Sequence, residues 1–220
     1  MRLLVWNVKG FLGAPLDKVR SVTARYSPDI VCLQEVWDPF THAYLATGWS
    51  TAKWATTRWW WPWFQTPTGL SFLARERWRQ KVWRFGAAEQ TSFDDKANFL
   101  IVRGAQVLTR KGLTLIHTHM NAGGKKGNFS ARKFEVAEII RKARRIEGPL
   151  VIVGDLNLRP TKRDEDQELL VHLRRSLGIQ HLVTGPTELD YVLARGIKLT
   201  GAMVSGHRAS DHDPLLVEIG

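Results

Sequence analysis

Short apolar runs recur along the chain, and each leads into polar residues whose side chains can take part in chemistry. Runs of four or five apolar residues are typical of buried β-strands, and the polar residues at their ends lie at the edge of a sheet. The runs are residues 3–6, 30–33, 115–116, 150–153 and 189–193. The polar residues are Asn7, Gln34, Glu35, His117, His119, Asp155, Asn157, Asp190, Asp211 and His212. Because side chains at one edge can converge on a single pocket, this pattern indicates catalysis.

Apolar residues at helical spacing predict helices between these strands. We expect helices over residues 16–26, 130–147 and 165–177, and further strands over 70–74 and 98–102. In the helix over 130–147, Ser130 is the expected cap and Gly148-Pro149 the expected end. The residues expected to form its apolar face are Phe134, Ala137, Ile140 and Ala143, and those of the last helix are Leu169, Leu170, Leu173 and Leu177. Without a repeat or a linker, residues 1–220 are predicted to form one catalytic α/β domain.

Composition narrows the class of protein. Hydrophobic content of 44% and charged content of 24% are average for a globular protein. The one cysteine, Cys32, lies inside an apolar run and is expected to be a small core residue rather than a nucleophile. No signal peptide and no apolar stretch of about 20 residues is evident, so we expect a cytoplasmic protein.

Positive charge is concentrated in one part of the chain. The formal net charge is +11, and the segment from Arg103 to Arg145 holds eleven basic residues against two acidic ones. A field of this sign favours polyanions, of which nucleic acid is the commonest in a cell. An anionic membrane surface is the main competitor, and a solvated face without a partner is the third interpretation.

Tryptophan is concentrated in another part. Residues 49–83 hold eight of the ten tryptophans, including Trp59, Trp60 and Trp61, and Pro62 excludes a regular helix interior there. These rings can pack in the core, stack on unpaired bases or enter a membrane interface. We therefore name these three tryptophans as candidate substrate-binding residues.

The polar residues suit a hard metal ion. Glu35, with Asn7 and Asp211, offers an incomplete oxygen shell of the kind that binds Mg²⁺ or Mn²⁺ and leaves room for water and phosphate. Zinc is less suitable, because the histidines lack a tetrahedral set. Of His117 and His119, one is expected to reach the site while the other packs or hydrogen-bonds nearby.

The other polar residues have side chains that suit the steps of phosphodiester hydrolysis. Asp155 and His212 are candidates to orient and deprotonate the attacking water, and Asp190 could hold His212 in the correct tautomer. Asn157 can donate to a phosphate oxygen, and His119 can stabilise developing negative charge. A basic, glycine-containing loop follows, and Asn121, Lys125, Lys126 and Arg132 are its candidates for phosphate contact, although a loop without a role is the alternative.

These motifs together resemble the metal-dependent endonuclease/exonuclease/phosphatase superfamily, which includes deoxyribonuclease-I-like enzymes, apurinic endonucleases and neutral sphingomyelinases. The motifs are Trp6-Asn7, Leu33-Gln34-Glu35, Thr118-His119, Gly154-Asp155-Leu156-Asn157, Leu189-Asp190-Tyr191 and Ser210-Asp211-His212-Asp213-Pro214. The resemblance implies a four-layer α/β (α+β) sandwich, with two packed mixed β-sheets flanked by helices. It also implies that Glu35 is the principal Mg²⁺ ligand and that Asp190 and His212 form a carboxylate–imidazole pair.

Subfamily features are mixed. Trp6-Asn7-Val8-Lys9-Gly10 resembles apurinic endonucleases, whereas Gln34-Glu35-Val36-Trp37 and Thr118-His119 resemble deoxyribonucleases and sphingomyelinases. We expect a monomeric Mg²⁺-dependent endonuclease or exonuclease that cleaves phosphodiester bonds in DNA in the first place and in RNA in the second. The alternatives are a lipid phosphodiesterase that docks on membranes through its tryptophans, and a catalytically silent nucleic-acid-binding module.

Overall fold

The chain forms strands and helices in a computed structural model. The structure describes residues 1–9, 16–60, 68–85, 100–102, 104–121, 126–185, 187–204 and 210–220. The strands are β1 (Arg2–Asn7), β2 (Ile30–Val36), β3 (Thr51–Trp60), β4 (Thr68–Ala74), β5 (Arg79–Arg84), β6 (Leu100–Val102), β7 (Gly104–Arg110), β8 (Leu113–His119), β9 (Leu150–Asp155), β10 (His181–Thr184), β11 (Asp190–Arg195), β12 (Leu199–Val204) and β13 (Leu215–Ile219). The helices are α1 (Leu16–Tyr26), α2 (Pro39–Ala46), α3 (Lys126–Ala143) and α4 (Asp164–Leu177).

The strands pair into two mixed sheets. One sheet has seven strands in the order β12-β13-β1-β2-β4-β3-β6, and the other has six in the order β10-β11-β9-β8-β7-β5. In each sheet one central pair is parallel, β1 with β2 and β8 with β9. The other pairs in the described residues are antiparallel.

The central strands are buried on both faces, which explains their continuous apolar sequence. In β1, Leu3 and Val5 face the core between the two sheets, whereas Leu4 and Trp6 face an outer core. The same alternation occurs in β9, where Val151 and Val153 face the inner core and Ile152 faces outward. The apolar outer face of each sheet must therefore be buried by other elements.

Helices bury both of these outer faces. Val19 and Val22 of α1, with Leu45 of α2, pack on the outer face of the seven-stranded sheet. Val136 of α3 and Leu173 of α4 pack on the outer face of the six-stranded sheet. The predicted four-layer sandwich is confirmed.

Three of the four helices in the described part of the chain were predicted, and α2 was not. α1 covers the predicted residues 16–26, and α4 covers the predicted 165–177 with one residue more. The prediction of 130–147 is wrong at both ends: α3 spans Lys126–Ala143, so Ser130 lies inside the helix and is not its cap. The helix ends before the predicted stop at Gly148, because the backbone N–H of Ile146 donates to Ala143 O and the chain tightens into a turn there.

The buried face of α3 also differs from the prediction. Ala137 is exposed, whereas Val136 and Ile139 are buried beside Ile140 and Ala143. The predicted spacing followed one row of residues, but a helix facing a sheet buries a wider stripe that includes neighbours at i+3 and i+4.

Two further predicted strands exist. The prediction over 70–74 corresponds to β4 and that over 98–102 to β6, although residues 98 and 99 lie outside the described part. Cys32 is fully buried on β2, as expected of a core residue. No helix within the described residues is long and apolar enough to cross a membrane.

The strand directions define two ends of the sandwich. The site end carries the last residues of β1, β2, β8 and β9 and the first residue of β11. The opposite end carries the β7–β8 turn and the first residues of β5 and β9. Because β8 has seven residues, the two ends lie about 20 Å apart at about 3.3 Å per residue.

Candidate active site

The pairing of the strands brings the predicted residues to one end of the sandwich. Asn7 pairs in register with Gln34, whose neighbour is Glu35. His119 pairs with Asp155, and Asp155 pairs on its other side with Asp190. Residues far apart in sequence therefore become neighbours because their strands are neighbours.

Two of these side chains lie on a backbone that turns sharply. Glu35 has φ 55 where the pairing of β2 with β4 shifts register between Leu33 and Val36, and Asn157 has φ 52 directly after β9. Asparagine tolerates this left-handed region, but glutamate rarely adopts it. Bulges redirect side chains and strained residues cluster at functional sites, which fits a role for Glu35 at this edge.

Asn7 joins two carboxylates. Its Nδ2 donates to Glu35 Oε1 and to Asp155 Oδ2, both at 3.0 Å. Its Oδ1 accepts from the backbone N–H of Lys9 at 2.9 Å. In this arrangement Asn7 orients Glu35 and Asp155, and its role as a direct metal ligand stays a prediction.

His212 stands between two buried carboxylates. Its Nδ1 lies 2.7 Å from Asp190 Oδ2, and its Nε2 lies 3.7 Å from Asp155 Oδ2. The Trp6 indole N–H donates to the backbone oxygen of His212 at 2.9 Å, and Ser210 Oγ accepts from its backbone N–H. The ring is therefore oriented by Asp190, while Trp6 and Ser210 fix the backbone of His212.

Burial and neighbouring charges shift the pKa values of His212 and Asp155 in this group. Burial lowers the pKa of His212, but the hydrogen bond and charge of Asp190 outweigh it and raise the pKa to about 9. Burial and the charge of Asp190 raise the pKa of Asp155 to about 7, against the opposing effect of His212. At neutral pH the imidazole is held in its protonated form between the two carboxylates.

The two histidines of β8 do different things. His119 Nε2 lies 3.6 Å from Asp155 Oδ2 and 3.7 Å from Glu35 Oε1, so His119 reaches the site. His117 is fully buried, with Nε2 2.7 Å from Gln34 Nε2 and Nδ1 2.9 Å from Gln106 Oε1. This matches the expectation that one histidine reaches the site while the other hydrogen-bonds nearby.

His117 belongs to a network that connects the two sheets. Gln106 Nε2 donates to the backbone oxygen of Lys53, and Gln34 donates to Cys32 O. Gln106 Oε1 accepts from Nδ1–H, so Nε2 is the acceptor for Gln34 and the ring is neutral. Burial lowers the pKa of His117 to about 3, which agrees with that neutral form.

Asn157 and Asn121 are both fixed by hydrogen bonds near the end of β8. Asn157 donates through its backbone N–H to Asp155 Oδ1 and through Nδ2 to Met120 O, both at 2.9 Å. Asn121 donates from its backbone N–H and from Nδ2 to the buried carboxylate of Glu135, at 2.9 and 2.7 Å. Glu135 on α3 thus fixes the chain directly after β8, a role that the sequence did not indicate.

Asp211 is engaged by a cation that sequence reasoning did not assign a role. Lys9 Nζ lies 2.7 Å from Asp211 Oδ2, and both side chains are about half exposed. Burial raises the pKa of Asp211, but Lys9 outweighs it and the net shift is downward. The signal for Lys9 was its position two residues after Asn7.

Of the remaining candidates, Arg132 does not join the cluster. Arg132 is buried in α3, where its guanidinium lies 3.0 Å from Asp166 Oδ1 of α4. Trp61 and Lys125 lie outside the described residues, and of Trp59, Trp60 and Lys126 only the backbone, in β3 and α3, is described. Their roles in substrate binding stay predictions.

The donor set fits a hard divalent cation. Glu35 keeps 30% of its side chain exposed, and among the described residues its Oε2 has no hydrogen-bond partner. Asp155, Asp190 and His212 form a second group whose ligand atoms lie within 4.8 Å of one another. Carboxylate oxygens of this kind suit Mg²⁺ or Mn²⁺, and Glu35 has the free oxygen that a ligand needs.

The same architecture occurs in solved structures. An endonuclease/exonuclease/phosphatase from Beutenbergia cavernae DSM 12333 superposes with a TM-score of 0.78 at 18% identity, covering 100% of this chain and 71% of that one. The human Nocturnin catalytic domain with bound sulfate gives 0.71 at 20% identity, covering 100% and 94%. D. rerio TDP2 complexed with a single-strand DNA product gives 0.68 at 16% identity, covering 100% and 98%. At these identities the structures show the fold.

The family follows from the sequence. No curated protein matches the chain in a sequence comparison. A model of the Endonuclease/Exonuclease/phosphatase family, however, matches residues 4–212, from β1 to the His212 that closes the site. The protein therefore belongs to the Endonuclease/Exonuclease/phosphatase family of metal-dependent hydrolases, which includes phosphodiesterases.

Proposed function

We propose that the protein is a Mg²⁺-dependent phosphodiesterase that cleaves nucleic acid, acting as one catalytic domain. The observation that carries the chemistry is the convergence of Asp155, Asp190, His119 and His212 beside Glu35. This group combines a candidate base, an oriented imidazole and a partly exposed carboxylate for a metal ion. The proposal of nucleic acid rests on the net charge of +11.

Glu35 is the residue proposed to hold the metal, with Asp211 beside it. When bound there, Mg²⁺ or Mn²⁺ supplies positive charge to the transferring phosphate and to the leaving oxygen. Asn7 fixes the direction of the Glu35 carboxylate through its hydrogen bond to Oε1. Asp211 would have to exchange Lys9 for the metal.

Asp155 is the proposed base for the attacking water. Two carboxylates keep His212 protonated at neutral pH, so the neighbouring carboxylate is better suited to accept a proton. His212 then contributes positive charge to the phosphate as negative charge develops, and Asp190 holds its ring. His119 and Asn157 line the same space and are proposed to contact phosphate oxygens.

A lipid phosphodiesterase is the second candidate, and one observation favours it. β3 ends at the site end with Trp59 and Trp60, and Phe40 on nearby α2 is 85% exposed. Aromatic residues at the rim of a site can enter a membrane interface. The test is binding to sphingomyelin vesicles after Trp59, Trp60 and Trp61 are changed together to Ala. Unchanged vesicle binding and lipid turnover would remove this candidate.

A substrate panel tests the leading proposal. Supercoiled DNA, single strands, RNA, an abasic duplex and sphingomyelin are incubated with Mg²⁺, with EDTA, and with the variant His212→Ala. We expect cleavage of nucleic acid that EDTA and His212→Ala abolish and that salt weakens steeply. Salt-insensitive cleavage of sphingomyelin with no action on nucleic acid would reverse the order of the two candidates.

A further inference from the structure

A basic cleft lies at the end of the sandwich opposite the active site. It has a volume of about 600 Å³ and is lined by residues 77–79, before and within β5, and by residues 109–112, at the end of β7 and in the β7–β8 turn. Its basic side chains are Arg77, Arg79, Arg110 and Lys111. We refer to these residues and their surroundings as the distal cleft. None of them takes part in the site described above.

The distal cleft is built on a rigid frame. Trp78 at its floor is buried, packs edge-on against Phe72 at 5.7 Å and donates its backbone N–H to Thr51 Oγ1. Arg79 pairs in register with Thr109 across β5 and β7. The cationic side chains are therefore carried by strands and a tight turn, which hold the two walls at a fixed separation.

Three of the four cations in the cleft form no ion pair within the described residues. Arg110 forms an ion pair with Glu76, but within the described residues Arg77, Arg79 and Lys111 form none. Three neighbouring unpaired cations repel one another, and an anionic ligand would relieve that repulsion.

The turn that carries Lys111 gives independent support. Lys111 has φ 47 and Gly112 φ 80 between the paired residues Arg110 and Leu113, so the turn requires positive φ at both central positions. Asn or Asp is strongly preferred at the first of these positions. Lysine there costs backbone energy, and it places a cation at the cleft.

The neighbouring segment has the same sign of charge. A side chain at Gly148 would lie 3.5 Å from Gly112 O, so the loop after α3 borders the turn. That loop carries exposed Arg144 and Arg145 against one exposed acid, Glu147. The positive surface therefore extends beyond the cleft itself.

From these observations we infer that the distal cleft binds the phosphate backbone of a nucleic acid whose scissile bond lies at the active site. This inference rests on the proposed function. Nucleic acid suits the cleft better than a membrane does, because the strongly exposed aromatic Phe40 lies near the site end, on α2. A polynucleotide long enough to span the roughly 20 Å between the ends gains contacts that a short substrate cannot make.

Charge removal in the cleft tests the inference. The variant Arg77→Gln/Lys111→Asn removes two exposed charges, and asparagine suits the positive φ of the turn, so folding is preserved. Its matched control, Arg25→Gln/Arg175→Gln, removes two exposed charges from α1 and α4. Binding of a duplex of about 40 base pairs is measured by fluorescence anisotropy in EDTA at several salt concentrations.

We expect the cleft variant to bind the duplex about tenfold more weakly at low salt, with a log–log salt slope smaller by about two. The control is expected to bind as the wild type does. Turnover of bis(p-nitrophenyl) phosphate with Mg²⁺ is expected to be the same in all three proteins, because that substrate cannot reach the cleft.

Three results would overturn the inference. The cleft variant and the control could bind the duplex equally well, or the cleft variant could lose turnover on the small substrate. The cleft variant could also bind phosphatidylserine vesicles more weakly than the wild type does while binding the duplex equally well. The last result would assign the cleft to a membrane surface. If the wild type binds the duplex through the cleft but never cleaves nucleic acid, the proposed function is wrong, although the cleft still binds nucleic acid. If it cleaves nucleic acid and the variant binds normally, only the cleft is wrong.

Discussion

Asp190 and His212 are joined by a 2.7 Å hydrogen bond at the base of the site, between the first residue of β11 and the segment before β13. β11 belongs to the six-stranded sheet and β13 to the seven-stranded sheet. The pair therefore connects the two sheets as well as two chemical groups. Correct packing of the sandwich is a condition for the pair to form.

Removing the charge of Asp190 should reduce the rate without unfolding the protein. In Asp190→Asn the side chain keeps its size but no longer stabilises the charged, correctly oriented imidazole. We expect kcat on a chromogenic phosphodiester with Mg²⁺ to fall by about 10²–10⁴. Asp164→Asn, at the exposed start of α4, is the matched control. Full activity of Asp190→Asn, with an unchanged Tm, would remove the pair from the mechanism.

Neutralising Glu35 should weaken metal binding. The variant Glu35→Gln loses the partly exposed carboxylate but keeps an oxygen that Asn7 can hydrogen-bond. Calorimetric titration with Mn²⁺ is expected to show affinity weaker by at least about tenfold, because hard cations depend on ligand charge. Glu165→Gln on the exposed face of α4 should bind Mn²⁺ as the wild type does. Equal affinity in both variants would place the metal elsewhere, with Asp155, Asp190 and His212 as the next group to test.

Lys9 should compete with the metal for Asp211. If Asp211 is a ligand, Lys9→Ala frees its carboxylate, and Mg²⁺ affinity measured by calorimetry should rise several-fold. Lys9→Arg preserves the ion pair and should leave the affinity near that of the wild type. An unchanged affinity in Lys9→Ala would mean that Asp211 does not ligate the metal.

Much of the fold was readable from the sequence because buried central strands carry a clear signal. β1, β2 and β9 are apolar on both faces, so their runs stand out and the polar residues that follow them mark strand ends. Pairing then brings these ends together, as it does for His119 and Asp155. The convergence of the candidate residues needed only the correct assignment of strands.

The positions of the basic side chains in the fold could not be predicted from the sequence in the same way. The basic segment from 103 to 145 looked like one surface, but the fold divides it. Arg132 is buried against Asp166, Arg141 pairs with Glu138, and Lys111 lies at the end opposite the site. Neighbours in sequence on a strand, a turn and a helix face different directions, so a linear count of charges does not locate a surface.

Arg132 should prove important for stability rather than for substrate binding. Its guanidinium and the Asp166 carboxylate are both buried, and removing Arg132 leaves Asp166 with Arg163 as its remaining charged partner. For Arg132→Met we expect the free energy of unfolding in urea to fall by about 1–3 kcal/mol, with an unchanged KM for nucleic acid below the transition. Lys133→Gln, one residue along and exposed, should change neither quantity by much. An undiminished stability with a raised KM would instead support the substrate contact expected from the sequence.

His117 should make stability depend on pH. Its pKa is lowered from 6.5 to about 3 in the folded state, so the unfolded chain binds a proton more readily. The stabilising contribution is fully present above pH 6.5 and is lost as the pH falls from there towards 3. At about pH 5 the loss amounts to about 2 kcal/mol. Urea unfolding of the wild type at about pH 7.5 and about pH 5 should show it, and His117→Gln should lack this part of the decrease.

A spectroscopic measurement separates this cause from other titrating groups. The imidazole nitrogen chemical shifts of His117 should remain those of a neutral ring at about pH 5. Equal pH dependence of stability in the wild type and in His117→Gln, or a His117 ring that is protonated at about pH 5, would contradict the prediction. The network of Gln34, His117 and Gln106 would then have to tolerate a charged ring between the sheets, at a considerable cost in desolvation.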